Sequence, residues 1–200
     1  MKRMLISFCM AAALAAIADT SVNYPVNAMN RMLEVECAKR GITIIDYHVH
    51  IRGGMTPELA AEREKAWIVR SSAMDNHGRE WDAKNDSQLL KFAEKAKSAS
   101  GRMPVGIQVN DRDWFRQIDA GTRAQLDYVL ADTMIMGVGA DGKPQKLWLL
   151  PKDYQTDEDK WFETYFQHCM TVVNEPIDIL ANVTYLPDFI ADRYDELWTE

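Results

Sequence analysis

The chain has 200 residues, of which 47% are hydrophobic, 26% are charged and three are cysteines. This composition excludes a disordered, collagen-like or disulfide-stapled chain, and the length allows one domain with a full core. A balance of 30 acidic against 23 basic side chains gives a formal charge of −7. That charge argues against sequence-independent nucleic-acid binding, which needs a basic surface to release counterions.

The first 18 residues read as an export signal. Met1, Lys2 and Arg3 form a basic start, residues 4–17 are apolar except for Ser7, and Ala16-Ile17-Ala18 supplies an A-x-A site with cleavage before Asp19. A membrane anchor is the weaker reading, because this 14-residue stretch spans about 21 Å as a helix against roughly 30 Å of bilayer. Cleavage would leave 21 basic and 30 acidic groups, or −9 on 182 residues, with no membrane attachment and a periplasmic or secreted location. Cys37 and Cys169 would remain. They could bond in an oxidising compartment, but each falls in a predicted amphipathic helix and reads as a small buried hydrophobe.

Residues 19–41 form a polar lead and a helix. The spacing of Met29, Met32, Leu33, Val35 and Cys37 predicts that helix over 28–39, ended by Gly41. Residues 42–50 are β-branched and nearly continuous, as in a buried strand. Thr56-Pro57-Glu58 opens a helix running to about Lys65, and 67–74 reads as a second strand. Asp86 or Ser87 caps a strong helix through Ala99, with Leu89, Leu90, Phe92, Ala93 and Ala96 on one side. A strand over 104–110, a short helix or turn over 113–118 and a strand over 126–134 follow. Residues 137–146 read as a Gly/Pro-containing loop. Thr156 or Asp157 starts a helix through Trp161, Tyr165, Cys169 and Val172, then comes a fifth strand over 176–184, and a last amphipathic helix opens at 189 and runs to Glu200. Strand and helix alternate about five times, the pattern of an α/β fold with parallel strands and helical crossovers.

Candidate site residues fall at the carboxyl ends of these strands, where parallel α/β proteins carry their chemistry. His48 and His50 lie two apart on a strand, so both imidazoles point the same way and can offer nitrogens to one metal ion. His77, in Asp75-Asn76-His77-Gly78, follows the second strand as a possible third ligand. Three neutral imidazoles suit zinc and other borderline divalent metals. Gln108 and Asn110, Asp132, and Asn182 close the next three strands. By contrast, His168 sits in a helix with an apolar stripe and reads as a surface or half-buried structural residue, while Asp111, Arg112 and Asp113 read as a loop ion-pair network. No G-x-S-x-G, P-loop or G-x-G-x-x-G is present.

Taken in order, Ile45-Asp46-Tyr47-His48-Val49-His50, Asp75-Asn76-His77-Gly78, Val105-Gly106-Ile107-Gln108-Val109-Asn110 and Leu126-Asp127-Tyr128-Val129-Leu130-Ala131-Asp132 resemble the polymerase and histidinol phosphatase (PHP) family. The resemblance covers about residues 42–190. It implies a distorted, TIM-like barrel of βα units over 42–200, metal ligands at the strand ends, and phosphoester hydrolysis. His48, His50 and His77 match the family's first three strand-end histidines. Gln108 stands where the family has a bridging Glu, Met134 where the fourth strand ends in His, and Asn182 where the fifth has His. The later strands would lie beyond Glu200, so the barrel is expected to be partial here and the chain to be part of a longer product.

The resemblance implies one ion, zinc with manganese as the alternative, held by His48, His50 and His77. Asp132 or water would complete the shell, Asp132 is the candidate catalytic group, and Asp75, Gln108 and Asn182 are further site residues. The expected function is an exported metal-dependent phosphoesterase acting on a small-molecule phosphoester through a metal-activated water. One alternative is an amidohydrolase-like C–N hydrolase, since residues 46–52 also resemble that superfamily's first-strand motif. The other is a catalytically degenerate metal- or anion-binding protein, which the changes at Gln108, Met134 and Asn182 favour.

Overall fold

The computed structural model describes residues 28–66, 70–78, 85–138 and 144–198. The export signal, its cleavage point and the polar lead lie outside the described residues, as do 67–69 of the second predicted strand, 139–143 of the predicted loop, and 199–200. The chain opens with helix α1 (Ala28–Lys39), strand β1 (Ile45–Asp46), helix α2 (Pro57–Ala66) and strands β2 (Arg70–Ser71) and β3 (Ala73–His77). It continues through α3 (Asp86–Ala99), β4 (Val105–Val109), the short helices α4 (Trp114–Gln117) and α5 (Ala120–Arg123), and β5 (Tyr128–Asp132). Next come β6 (Ile135–Val138), β7 (Pro144–Lys146), α6 (Glu158–Val173), β8 (Ile179–Ala181) and a closing turn of helix, α7 (Tyr194–Leu197).

Local chemistry accounts for the helix starts. Thr56 Oγ1 accepts from the Leu59 amide at 3.2 Å ahead of α2, and Asp157 Oδ1 accepts from the Lys160 amide at 3.2 Å ahead of α6. In α3 the cap is Asn85, ahead of both predicted positions, Asp86 and Ser87. Its side chain accepts from Gln88 N while Gln88 Oε1 accepts from Asn85 N, a reciprocal pair that satisfies two donors. Leu89, Ala93 and Ala96 then bury the inner face of α3. Full burial of Leu89 alone contributes about 1.5–3 kcal/mol.

Strands β3, β4, β5 and β8 form a four-stranded parallel sheet in that order, with β3 and β8 at its ends. All residues of β4 and β5 are buried, as expected for parallel strands covered on both faces. The alternating register assigns each residue to a face. Ala73, Val105, Ile107, Val109, Val129 and Ala131 pack under Ala60, Leu89, Ala93, Trp114 and Val172 from the helices. Met74, Tyr128, Leu130, Ile179 and Ala181 form a second cluster on the opposite face with Tyr47. A third cluster joins Trp161, Tyr165 and Cys169 of α6 to Leu186 and Ile190.

Besides the last helix, expected over 189–200 and reduced to the turn α7, two predicted elements differ. The strand expected over 42–50 is broken by an extra residue. Asp46 pairs with Ser71 and His50 bridges Met74, so four steps on the first strand face three on its neighbour, which is a β-bulge. The second difference is an antiparallel hairpin, β6 with β7, in the stretch read as a loop. Its base is closed by the Leu147 amide donating to the Met134 carbonyl at 2.9 Å. Among the described residues no helix is long and apolar enough to cross a membrane. Cys169 is buried as expected, Cys37 is half-buried, and neither forms a disulfide.

Candidate functional site

The bulge in the first strand sets the site. Its geometry is held locally by the His48 amide donating to Asp46 Oδ1 at 2.9 Å. The carbonyl that the irregular pairing leaves over, that of Tyr47, accepts from the Tyr128 hydroxyl at 2.8 Å, and the hydroxyl oxygen lies 3.0 Å from Ser72 Oγ, whose proton it can accept. Tyr128 can lie flat across the sheet because its neighbour on β4 is Gly106, where a Cβ would fall 2.5 Å from the ring. Tyr47 and Tyr128 also pack edge to face, with centroids 5.1 Å apart.

Beyond that support the polar residues meet. The rings of His48 and His50 have centroids 5.0 Å apart. Gln108 Oε1 lies 3.2 Å from His48 Nε2, and an amide oxygen can only accept, so in the neutral ring the proton sits on Nε2 and Nδ1 keeps its lone pair. Gln108 Nε2 donates to Asp132 Oδ2 at 3.4 Å and to Asn110 Oδ1 at 3.3 Å. Asp132 is 6% exposed and accepts from Asn182 Nδ2 at 2.9 Å and from the Met134 amide at 2.7 Å. Asn182 reaches it from a left-handed backbone, φ 54°, which Asn adopts more readily than most residues.

Burial governs the titration here. It pushes Asp132 above the usual carboxylate range, against the Met134 and Asn182 hydrogen bonds and the nearby His48 and Arg112 charges. Burial, reinforced by the charges of His48 and Arg52, pushes His50 down to about 3. His50 is therefore a neutral imidazole at ordinary pH, and its buried Nδ1 has no hydrogen-bond partner.

The predicted histidine trio is divided by the sheet. His50 bridges Met74, Asn76 pairs with Gln108, and His77 pairs with Val109. Asn76 thus shares a face with Gln108 and Asp132, while Asp75 and His77 face the helices. Asp75 Oδ1 accepts from the Asn76 amide at 2.9 Å. His77, 2% exposed, lies with Nε2 3.3 Å from Gln117 Oε1 on α4. Gln117 Nε2 in turn donates to Asp113 Oδ1 at 2.9 Å and Asp111 Oδ2 at 3.4 Å. His48 and His50 are brought together, then, with Gln108, Asp132 and Asn182, whereas Asp75 and His77 are turned the other way. Among the described residues no three His, Cys, Asp or Glu side chains are grouped to hold one ion.

Several residues at this end of the sheet escaped the sequence reading. Arg112 forms an ion pair with Glu175 at 3.0 Å, across the loops. Its Nη2 donates to the Asn110 carbonyl at 2.9 Å, and Trp114 Nε1 donates to the other Glu175 oxygen at 2.9 Å. Burial lowers Arg112 and raises Glu175, and each charge opposes the shift of the other. His168 is half-buried as predicted, but it stands near Arg112. Burial and that charge push it down to about 4 against a backbone hydrogen bond with Thr133. Asn76 carried a signal, since it stands inside the Asp75-Asn76-His77-Gly78 segment. Comparison with known protein families, curated proteins and solved structures found no match for the chain.

Proposed function

We propose that this chain carries the metal-binding end of an exported, divalent-metal-dependent hydrolase of the PHP type, acting on a small-molecule phosphoester. The observation that carries the reading is His50: a neutral imidazole with a buried, unpartnered Nδ1, beside His48, which Gln108 links to Asp132 at the carboxyl end of β5. An orphaned ring nitrogen of this kind fits a ligand to zinc or manganese. The strands also follow one another across the sheet in chain order, and β1 reaches β3 through the His50 bridge, as in a partial barrel of βα units. Residues 1–18 support the exported location.

His48 and His50 would hold the ion through their ring nitrogens, with Asp132 supplying the negative charge. When bound, the ion supplies Lewis acidity and a water that ionises near neutral pH. The remaining roles belong to the chain. Asn182 and Gln108, both donating to Oδ2, hold the Asp132 carboxyl in place. Gln108 fixes the His48 tautomer by accepting from Nε2.

The amides that close on Asp132 favour a second reading, a metal- or anion-binding protein without turnover, because they satisfy the carboxylate as it stands. Metal titration of the full chain with zinc and manganese, followed by assay on phosphomonoesters, phosphodiesters and cyclic amides, separates the possibilities. One equivalent of metal and phosphoester hydrolysis that is lost in His48→Ala supports the proposal. Metal without turnover points to the second reading, hydrolysis of cyclic amides alone points to an amidohydrolase, and failure to bind either metal sinks the first.

A further inference from the structure

The division of the histidine trio leaves a gap in the donor set on the site face. We infer that Asn76, and not His77, is the residue β3 contributes to the metal, through its side-chain carbonyl oxygen. The inference rests on the metal-dependent reading above and names the ligand that completes it.

Three observations converge on Asn76. The first is the register. His50 bridges Met74, and Asn76 is the next residue of β3 on the same face, roughly 6–7 Å further along the strand. From there its neighbour across the ladder is Gln108, which is bonded to both His48 and Asp132. The second is burial without a partner. Asn76 is 4% exposed, and its Oδ1 accepts no hydrogen bond. A buried amide oxygen left in that state is costly, so the position calls for something to coordinate or donate to it. The third is the neighbour in the same condition, His50, whose Nδ1 is also buried and unpartnered. Two buried polar atoms, a ring nitrogen and an amide oxygen, therefore stand on adjacent strands without a hydrogen-bond partner among the described residues. His77 is differently placed, because its Nε2 is directed to the Gln117 carbonyl on the helix side.

The chemistry of the resulting set follows. Two imidazole nitrogens and one amide oxygen carry no charge. Imidazole selects borderline divalent ions, and a single amide oxygen is a poor match for calcium, which takes six to eight oxygen ligands, so the set suits zinc or manganese. Because the donor on β3 is an amide, it contributes geometry and a dipole but no charge. An acid in its place would bind the ion more tightly.

The test uses zinc alone on the full chain, with affinity read by competition against a chromophoric chelator and apo stability read by urea denaturation. Asn76→Leu should weaken zinc binding by about 10–100-fold, the range seen when groups around a bound metal are altered, while His77→Gln, which can still bond Gln117, should stay within about threefold. Asn76→Asp should bind zinc at least tenfold tighter than wild type, a gain that a purely structural role would not produce. Loss of zinc in His77→Gln with retention in Asn76→Leu would overturn the inference and leave the metal-dependent reading intact. A wild-type chain that binds no zinc overturns both. Should Asn76→Leu fail to fold, Asn76→Asp decides, since unchanged or weaker affinity there also refutes the assignment.

Discussion

Replacing Gly106 by Ala tests whether the site is supported from beneath by Tyr128. The added methyl would sit 2.5 Å from Tyr128 Cε2 and Cζ, and the ring would have to retreat by about 1 Å to restore ordinary carbon contact. It has little room, being 4% exposed and tied by its hydroxyl to the Tyr47 carbonyl and Ser72. Overpacking of this kind costs about 1–3 kcal/mol, and straining two hydrogen bonds adds about 0.5–1.5 kcal/mol each if they break. Against this, removing a glycine stiffens the unfolded chain and returns about 0.4–1 kcal/mol. The net expectation is a loss of about 2–3 kcal/mol, or about 5–10 °C in Tm for a chain of this length. Urea denaturation followed by tryptophan fluorescence measures it. In a Tyr128→Leu background the same Gly106→Ala change should become neutral or slightly stabilising, and the difference between backgrounds is the coupling energy. If Gly106→Ala proves neutral in the wild-type background, Tyr128 does not lie rigidly across β4, and the support of the bulge carrying His48 is misassigned.

Three other consequences can be measured. The pKa of His168 is lowered to about 4 from 6.5, so its contribution to stability is complete above about pH 6.5 and is lost as pH falls towards 4, where the unfolded chain binds a proton that the folded chain refuses. After discounting for its half-exposed position this is about 1–2 kcal/mol, and His168→Gln should flatten the stability profile between pH 7 and 4.5 by that amount. An unchanged profile would show that the burial of His168 is not what lowers it. Glu175→Gln removes the countercharge of the half-buried Arg112 and should cost about 2–4 kcal/mol, more than Trp114→Phe, which deletes one hydrogen bond to a carboxylate worth about 1.5–3 kcal/mol. The reverse order, by urea denaturation, would assign the role of Glu175 to the indole. Finally, Asn182→Gly keeps the left-handed backbone but deletes the donor to Asp132, while Asn182→Ala also incurs about 1–2 kcal/mol of backbone strain. Both variants should raise the Asp132 carboxyl further, seen by NMR titration, and Ala should be the less stable of the two. Equal stabilities would mean that the backbone relaxes away from φ 54°.

Helices were the most legible elements because their signals are local. Thr56-Pro57-Glu58 and Asp157 begin helices where the caps predict, and α1 occupies the predicted span. The buried strands β4 and β5 were legible from their continuous apolar runs. The hairpin of β6 and β7 was not, since Gly137 and Pro144 signal a turn equally well in a loop and in a bulged antiparallel pair. At the site, the gathering of His48, His50, Gln108, Asp132 and Asn182 could be anticipated from polar residues closing apolar strands. The side taken by His77 could not be. Four of the five residues of β3 are buried and the fifth is intermediate, so its sequence has no polar and apolar alternation to reveal which residues face the helices. Only the pairing of His50 with Met74 decides it. Arg112 and Glu175 meet across a long loop of chain, and no local pattern announces such a pair.

The pleat of β3 also bears on how such a protein can change. Substitution is the usual route to a new donor, but here a change in length does as much. With Met74 held by His50, deletion of Asp75 alone would carry Asn76 to the helix side and His77 to the face of Gln108 and Asp132, because a shift of one residue inverts every side chain that follows. An imidazole would replace an amide on that face with no residue substituted. Within such a strand, single-residue insertions and deletions decide which side chain reaches the face of Gln108, whereas substitutions at His77 act on its packing against α4.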